Sequence, residues 1–205
     1  MKPQLVFSFL RLSTNILWYV MLFIMIIVTA ACLSRFAGKN ITSDNLGFSK
    51  EVMGRGGVDF QVVTNYSTDS LLRYSPVLGR YDLIIEPNSP LGFYSFFSMI
   101  VMFGIGISIL WLFKKIFDEA NVKDIFQESI YKKLVLLALL FVLSDLFRII
   151  DYLVFNKLLS RSISLPKFEL FVDVGNGLIT GIIIYAIATI YQRGLSIQEE
   201  NSFTV

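Results

Sequence analysis

The sequence predicts an all-α membrane protein: a four-transmembrane-helix bundle with a small extracytoplasmic β element between helices 1 and 2. Hydrophobic residues make up 55% of the 205-residue chain and charged residues only 17%, below the roughly 25% typical of a soluble domain. Four apolar runs come close to or exceed the about 20 residues that a spanning helix needs. A segment rich in glycine and proline separates the first run from the second.

These runs form a single membrane domain. The predicted spans are residues 16–33, 91–113, 134–155 and 170–191. The first two contain no charged residue, whereas the third contains Asp145, Arg148 and Asp151 and the fourth contains Asp173. Soluble core helices rarely run this long without a polar face. The first run ends in residues 29–32 with a Thr-Ala-Ala-Cys sequence similar to a lipoprotein cleavage site. Cleavage of the first run as a signal peptide stays an alternative, although the run is long for a signal-peptide core of 7–15 residues.

Lysine and arginine in the connecting loops orient the spans, because these residues collect on the cytoplasmic side. Loop 114–133 contains five lysines, and the amino-terminal segment adds Lys2 and Arg11. Segment 34–90 contains six more lysines and arginines, but it approaches the length at which loops cross the membrane largely regardless of charge. We therefore expect both termini, including the tail 192–205, to be cytoplasmic and segment 34–90 to be extracytoplasmic.

Segment 34–90 has the composition of a small β element rather than of a helix. Two strand-like runs, Val58–Val63 and Tyr81–Ile85, lie among its glycines and prolines. Because an isolated hairpin is marginal in water, this element should lean on the helices or on a partner. It is either a sensing or docking surface or a structured loop without a ligand.

The charges of the third span form a predicted polar cluster. Asp145, Arg148 and Asp151 follow at i, i+3 and i+6, so each acid neighbours the arginine on a helix. The helix rise places Asn176 of the fourth span at about the level of Arg148, and Asp173 about 5 Å further out. A satisfied structural cluster is favoured over a proton or ion relay, because the acids have a base beside them.

Small residues predict close helix packing. Gly177 and Gly181 form a GxxxG pattern in the fourth span, and Gly104 and Ser108 have the same spacing in the second. Such residues let neighbouring helix backbones approach each other within a membrane.

The composition argues against catalysis and against nucleic acid. Histidine is absent, cysteine occurs once and the formal net charge is +2. This excludes a disulfide within the chain, a His-based triad and a His metal site, and it gives no case for direct nucleic-acid binding. No nucleophile–base pair or phosphate-binding loop is visible. We therefore predict a non-enzyme without a catalytic, cofactor-binding or metal site.

The cytoplasmic segments offer two interaction surfaces. In loop 114–133, apolar residues recur at helical spacing from Val122 to Ile130, and Asn121 is a candidate N-cap. This pattern predicts a short amphipathic helix that leads into the third span. Packing on the membrane is the default reading, and the groove of a partner is the alternative. The tail 192–205 ends in acids followed by a short β-like terminus with Phe203 and Val205.

These cytoplasmic segments also resemble a known family. Phe117, Asn121 and Val122 fit its Phe-x-x-x-Asn-Val pattern, and the tail fits its closing Arg-Gly, Gln-Glu-Glu and Thr-Val signature. The family is the bacterial membrane proteins grouped as "domain of unknown function 2975", which has no assigned activity. The resemblance implies the bacterial plasma (inner) membrane and a cytoplasmic partner, a helix-turn-helix regulator of the Cro/C1 type. The docking candidates are Asn121, Phe126, Arg193, Gly194, Gln198, Glu199, Glu200 and Thr204.

Two functions follow as hypotheses. The first is a non-enzymatic regulatory or sensing partner of such a regulator, in which the outer β element receives a signal. The second is a small transporter or channel subunit that uses Asp145, Asp151 and Asp173. A homo-oligomer is compatible with both.

Overall fold

The structure is a computed structural model that describes residues 3–36, 48–55, 65–66, 72–77, 80–120, 127–162 and 167–202. Its helices are α1 (Pro3–Phe36), α2 (Pro90–Glu119), α3 (Glu128–Ser162) and α4 (Asn176–Ser202). Its strands are β1 (Phe48–Arg55), β2 (Asn65–Tyr66), β3 (Leu72–Val77), β4 (Arg80–Ile85) and β5 (Lys167–Leu170).

Three of these helices are long and apolar enough to cross a membrane. The qualifying stretches are Ser8–Ser34, Pro90–Glu119 and Asn176–Glu200. This confirms the predicted helical membrane architecture at the level of three candidate spans. Helix α3 has 35 residues and is about 52 Å long, but it carries Asp145, Arg148 and Asp151 within its apolar stretch. Its length therefore permits a fourth span, while its apolarity does not by itself establish one.

The fourth helix begins later than the predicted span. Residues 170–175 are not helical, and α4 starts only at Asn176. Leu170 is held in the sheet, because β5 pairs with β1 and Val52 lies opposite Leu170, and the backbone N–H of Phe171 donates to the Glu51 carbonyl oxygen at 3.3 Å. Gly175 then adopts a φ of 113°, a left-handed conformation that favours glycine and turns the chain into the helix. At the other end, α4 continues through the tail to Ser202.

The predicted β element is a five-stranded antiparallel sheet with the order β2-β3-β4-β1-β5. Strand β4 confirms the run Tyr81–Ile85, whereas the predicted run Val58–Val63 lies outside the described residues. The sheet does not come from segment 34–90 alone, because β5 follows α3 in the chain. Its four residues, Lys167–Leu170, alternate between charged and apolar side chains, the shortest run over which alternation indicates a strand, but the fourth predicted span began at Leu170.

The chain divides into two compact units. The helical unit comprises Met1–Met25, Met102–Leu146 and Val174–Val205, and the sheet unit comprises Ile26–Val101 and Phe147–Asp173.

The sheet unit has an apolar core in which the sheet packs on helix residues. Val52 of β1 and Leu83 of β4 are fully buried together with Phe155 of α3. Leu91 of α2 and Leu159 of α3 complete the contact. Burial of these side chains stabilises a sheet that would be marginal alone.

The helical unit has its own core of aliphatic side chains from α2 and α3, including Leu112, Ile116 and Leu137. Tyr191 of α4 packs against this core, and its hydroxyl accepts the backbone N–H of Gln127 at 2.7 Å. The apolar stretch of α1 contains no buried residue. Arg11 of α1 nevertheless forms an ion pair with Asp118 at 2.6 Å.

Candidate functional site

Asp145 of α3 is a buried acid that caps another helix. Only 4% of the residue is exposed. Its Oδ2 atom accepts the backbone N–H groups of Gly175 at 2.9 Å and Leu178 at 2.8 Å. The first N–H groups of a helix lack intrahelical partners, and the positive end of the helix dipole lies there. A carboxylate is suited to both features, so Asp145 acts as an N-cap for α4 from a different element.

Two glycines let α4 approach α3 near this cap. A Cβ atom on Gly177 would lie 2.6 Å from the carbonyl oxygen of Phe141, and one on Gly181 would lie 2.9 Å from that of Ala138. Contacts below 3.0 Å to backbone atoms cannot be relieved by a side-chain rotation. Both positions therefore require glycine for the observed helix separation, in keeping with small-residue packing in membranes.

The close approach predicted at Gly104 and Ser108 is not seen at these residues, and another glycine of α2 makes the close contact. Within the described residues, no atom lies within 4 Å of a Cβ built on Gly104. The Ser108 hydroxyl instead donates back to the Gly104 carbonyl oxygen at 2.8 Å, a local bond that competes with contacts to other helices. The tight position is Gly106, where an added Cβ would lie 2.6 Å from the Met21 methyl group of α1.

Asp151 lies in the sheet unit and has different partners from Asp145. Its carboxylate pairs with the Lys50 ammonium of β1 at 3.0 Å and accepts the Ser98 hydroxyl of α2 at 2.6 Å. The ion pair is half-buried, with side-chain exposures of 20% and 15%. Lys50 also lies 4.6 Å from the ring centroid of Phe155, a cation–π distance. The pair ties the sheet to α2 and α3.

Arg148 is not neutralised by the acids of its own helix, contrary to the prediction. Its guanidinium donates to the backbone carbonyl of Asp173 at 3.0 Å. Among the described residues it forms no ion pair, since Asp145 caps α4 and Asp151 binds Lys50. Spacing at i and i+3 permits a helix pair, but each acid instead bonds to groups on other elements. Asn176, predicted beside Arg148, is the first residue of α4.

The same side chains line a cavity of the sheet unit of about 440 Å³, within the usual size range for ligand pockets. Its charged lining residues are Lys50, Glu51, Arg148, Asp151 and Asp173. An apolar side is formed by residues 170–172, which follow β5 into the connection to α4. The pocket thus places two cations, three acids and an apolar wall around one space, an arrangement that can bind a small charged group.

Sequence reasoning identified Arg148, Asp151 and Asp173 as a cluster but missed their partners from other elements. Lys50 lies in a strand about a hundred residues earlier, and no spacing rule connects it with Asp151. Ser98 offered one signal, because it is one of three serines in the uncharged run 91–113 and buried hydroxyl groups usually have a hydrogen-bond partner. The pocket needs β1, β5 and α3 together, and β5 was not predicted.

The docking candidates are placed only in part. Asn121, Phe126 and Thr204, and most of the predicted amphipathic helix, lie outside the described residues. Ile130, its last apolar position, is buried within α3. Gly194 of α4 is half-buried. Four candidates are exposed on the last turns of α4: Arg193, Gln198, Glu199 and Glu200.

Comparison with known proteins returned no match among family models, curated proteins or solved structures. The family resemblance of the cytoplasmic segments therefore stays a prediction. Within the described residues, no group of three or more cysteines and acids is placed to hold a metal ion.

Proposed function

We propose that the chain is a four-span, non-enzymatic regulatory protein of the bacterial plasma membrane, with both termini in the cytoplasm. In this arrangement α3 is the third span. A lone charge at the bilayer centre costs roughly 2.5–3.5 kcal/mol. Support comes from Asp145 and Asp151, which are both hydrogen-bonded inside the protein, and from Arg148, which is bonded to a backbone carbonyl. The positive loop 114–133 supports the orientation.

The observation that carries the proposal is that helix α3 serves two sites. Arg148 and Asp151 line the pocket of the sheet unit, and Asp145 of the same helix caps α4. Six residues, about 9 Å of helix rise, separate the two acids. A ligand that changes the bonds of Arg148 or Asp151 therefore acts on the helix that holds the start of α4.

In this proposal the carboxyl-terminal end of α4 is the surface that binds the cytoplasmic partner. Gln198, Glu199 and Glu200 are exposed there, on a helix that continues beyond its apolar stretch to Ser202. An exposed acidic helix end suits a basic partner, and DNA-binding regulators carry basic surfaces. Together with the family resemblance, this supports a cytoplasmic helix-turn-helix regulator as the partner.

A charge-reversal experiment tests the proposal in the full-length protein. Glu199→Lys and Glu200→Lys together should move a helix-turn-helix regulator encoded beside the gene from the membrane fraction to the soluble fraction. Glu86→Lys, an exposed acid in the connection between β4 and α2, is the matched control and should leave the regulator on the membrane. An unchanged distribution of the regulator in the double variant would contradict the proposal.

A transporter that uses intramembrane acids has less support. Asp145 is committed to two backbone N–H groups, and Asp151 is committed to Lys50 and Ser98. A relay group must release its bonds during each cycle, whereas these bonds hold α4 and the sheet in place.

A further inference from the structure

The structure also points to the chemical class of ligand that enters the pocket of the sheet unit. We infer that this pocket binds the headgroup of a phospholipid with an ethanolamine group, its phosphodiester on Arg148 and its ammonium group toward the carboxylates. The inference deepens the proposed function, on which it rests, because it names the ligand of the receiving site. Its test measures lipid binding and not the regulator, so failure of one is distinguishable from failure of the other.

Arg148 supplies the phosphodiester contact. A guanidinium has five N–H donors in a planar fork, and one of them is used by the carbonyl of Asp173. Within the described part of the chain, no carboxylate pairs with this cation. A planar fork with spare donors matches the oxygens of a phosphodiester, which binds arginine through two parallel hydrogen bonds.

The charge of the lining selects a zwitterion. Two cations and three acids surround the cavity, so its formal charge is −1. A ligand that brings only negative charge would meet Arg148 favourably but would be repelled by Glu51 and Asp173, since Lys50 already balances Asp151. A zwitterionic headgroup avoids this conflict, because its ammonium group interacts with the acids. A primary ammonium also donates hydrogen bonds to carboxylate oxygens, which a quaternary ammonium cannot do.

The surface beside Arg148 is suited to acyl chains. Ile149, Ile150 and Leu153 of α3 are 42%, 47% and 61% exposed, and Phe171 beside the pocket is 40% exposed. Exposed apolar side chains in this density mark a surface covered by lipid or protein. In the proposed third span, Arg148 lies about 21 Å from the inner end of a core about 30 Å thick, which places it in the outer half of the membrane.

Native mass spectrometry of the full-length protein in detergent tests the inference. The protein is mixed with equal amounts of phosphatidylethanolamine, phosphatidylglycerol and phosphatidylcholine that carry the same acyl chains. We expect phosphatidylethanolamine to be the preferred adduct. Arg148→Gln should weaken its binding about tenfold, the effect of one lost charge-assisted contact. Arg161→Gln, an exposed arginine on the same helix, is the matched control and should bind like the wild type.

A second variant keeps the test decisive if Arg148→Gln fails to fold. Glu51→Gln removes one acid at an exposed strand position and should shift the preference from phosphatidylethanolamine toward phosphatidylglycerol. Equal binding of the three lipids by the wild type, or a preference for phosphatidylglycerol, would overturn the inference. So would a preference that Glu51→Gln leaves unchanged, or equally tight binding of glycerophosphoethanolamine, which has the headgroup but no acyl chains.

Discussion

Asp145 and Asp151 are two acids of one helix with opposite kinds of surroundings. Asp145, in the helical unit, is buried and bonded to backbone N–H groups at the start of α4. Asp151, in the sheet unit, is bonded to the side chains of Lys50 and Ser98 and lines a cavity. The partner elements, and not the position in the helix, therefore decide which groups each acid of α3 binds.

Each of the two regions is stabilised by a different kind of interaction. Around Asp145, glycines bring two helix backbones into contact, and the acid satisfies the end of one of them. Around Asp151, a sheet packs its apolar residues on the helices, and an ion pair joins the two. The first region should therefore be sensitive to crowding and to loss of its cap, and the second to loss of its ion pair.

The largest effect should come from crowding the first region. Gly177→Val forces side-chain atoms against the Phe141 carbonyl, which lies 2.6 Å from the Cβ position. We expect the unfolding free energy to fall by about 3 kcal/mol, at the upper end for overpacking. Thermal unfolding in detergent measures the loss. Gly104→Val is the control, because its Cβ position is open among the described residues, and an equal loss there would refute the packing role of Gly177.

Removal of the cap should be the next largest effect. Asp145→Ala leaves two backbone N–H groups at the start of α4 without their acceptor, at a cost of about 2 kcal/mol. Asp145→Asn keeps an acceptor oxygen at the Oδ2 position and should lose less. The unfolding free energy of both variants distinguishes them. The cap would be unsupported if the asparagine variant were the less stable of the two.

The ion pair of the second region should contribute less. Lys50→Met leaves Asp151 with the hydroxyl groups of Ser98 and Tyr94 as hydrogen-bond partners and should lower the unfolding free energy by about 1–2 kcal/mol, between the values for exposed and buried pairs. Lys132→Met is the matched control, since its pair with Glu128 is 70% and 74% exposed. Chemical denaturation of both variants tests the difference, and equal stabilities would show that burial of the Lys50 pair has no energetic consequence.

The smallest effect concerns the start of α3. The hydrogen bond and charge of Lys132 hold the pKa of Glu128 below its usual range. A lowered folded-state pKa stabilises the protein above the unfolded-state pKa, and this stability is lost as the pH falls through the folded-state pKa. Melting temperatures of Glu128→Gln and wild type should differ slightly at neutral pH and converge under acidic conditions. A difference that grows on acidification would contradict this account.

The sequence predicted the parts of the fold that depend on local pattern. Long apolar runs predicted α1, α2 and α4, and β-branched residues predicted the strand at Tyr81–Ile85. The predicted start of α4 was wrong, because the fourth apolar run begins at Leu170, which is the last residue of β5, whereas the helix begins only at Asn176. Whether the first residues of an apolar run join a strand depends on the partner, here β1.

The sequence identified the charged site residues of α3 and Asp173, but not the partners that bind them. Asp145, Arg148 and Asp151 attract attention because charges are expensive in a spanning helix. Their partners are a strand lysine, a hydroxyl of α2 and the backbone at the start of α4. These contacts join residues far apart in the chain, and one sequence alone contains no information about such pairs.

Labelling of α3 from the two sides of the membrane tests the central claim that this charged helix is a span. Cys32 is the single cysteine of the chain, so Cys32→Ser provides a background for Ser129→Cys and Ser160→Cys at opposite ends of α3. In right-side-out vesicles, a membrane-impermeant maleimide should label the Ser160→Cys variant alone. Inside-out vesicles should give the reverse. Labelling of both positions from the same side would contradict the four-span account.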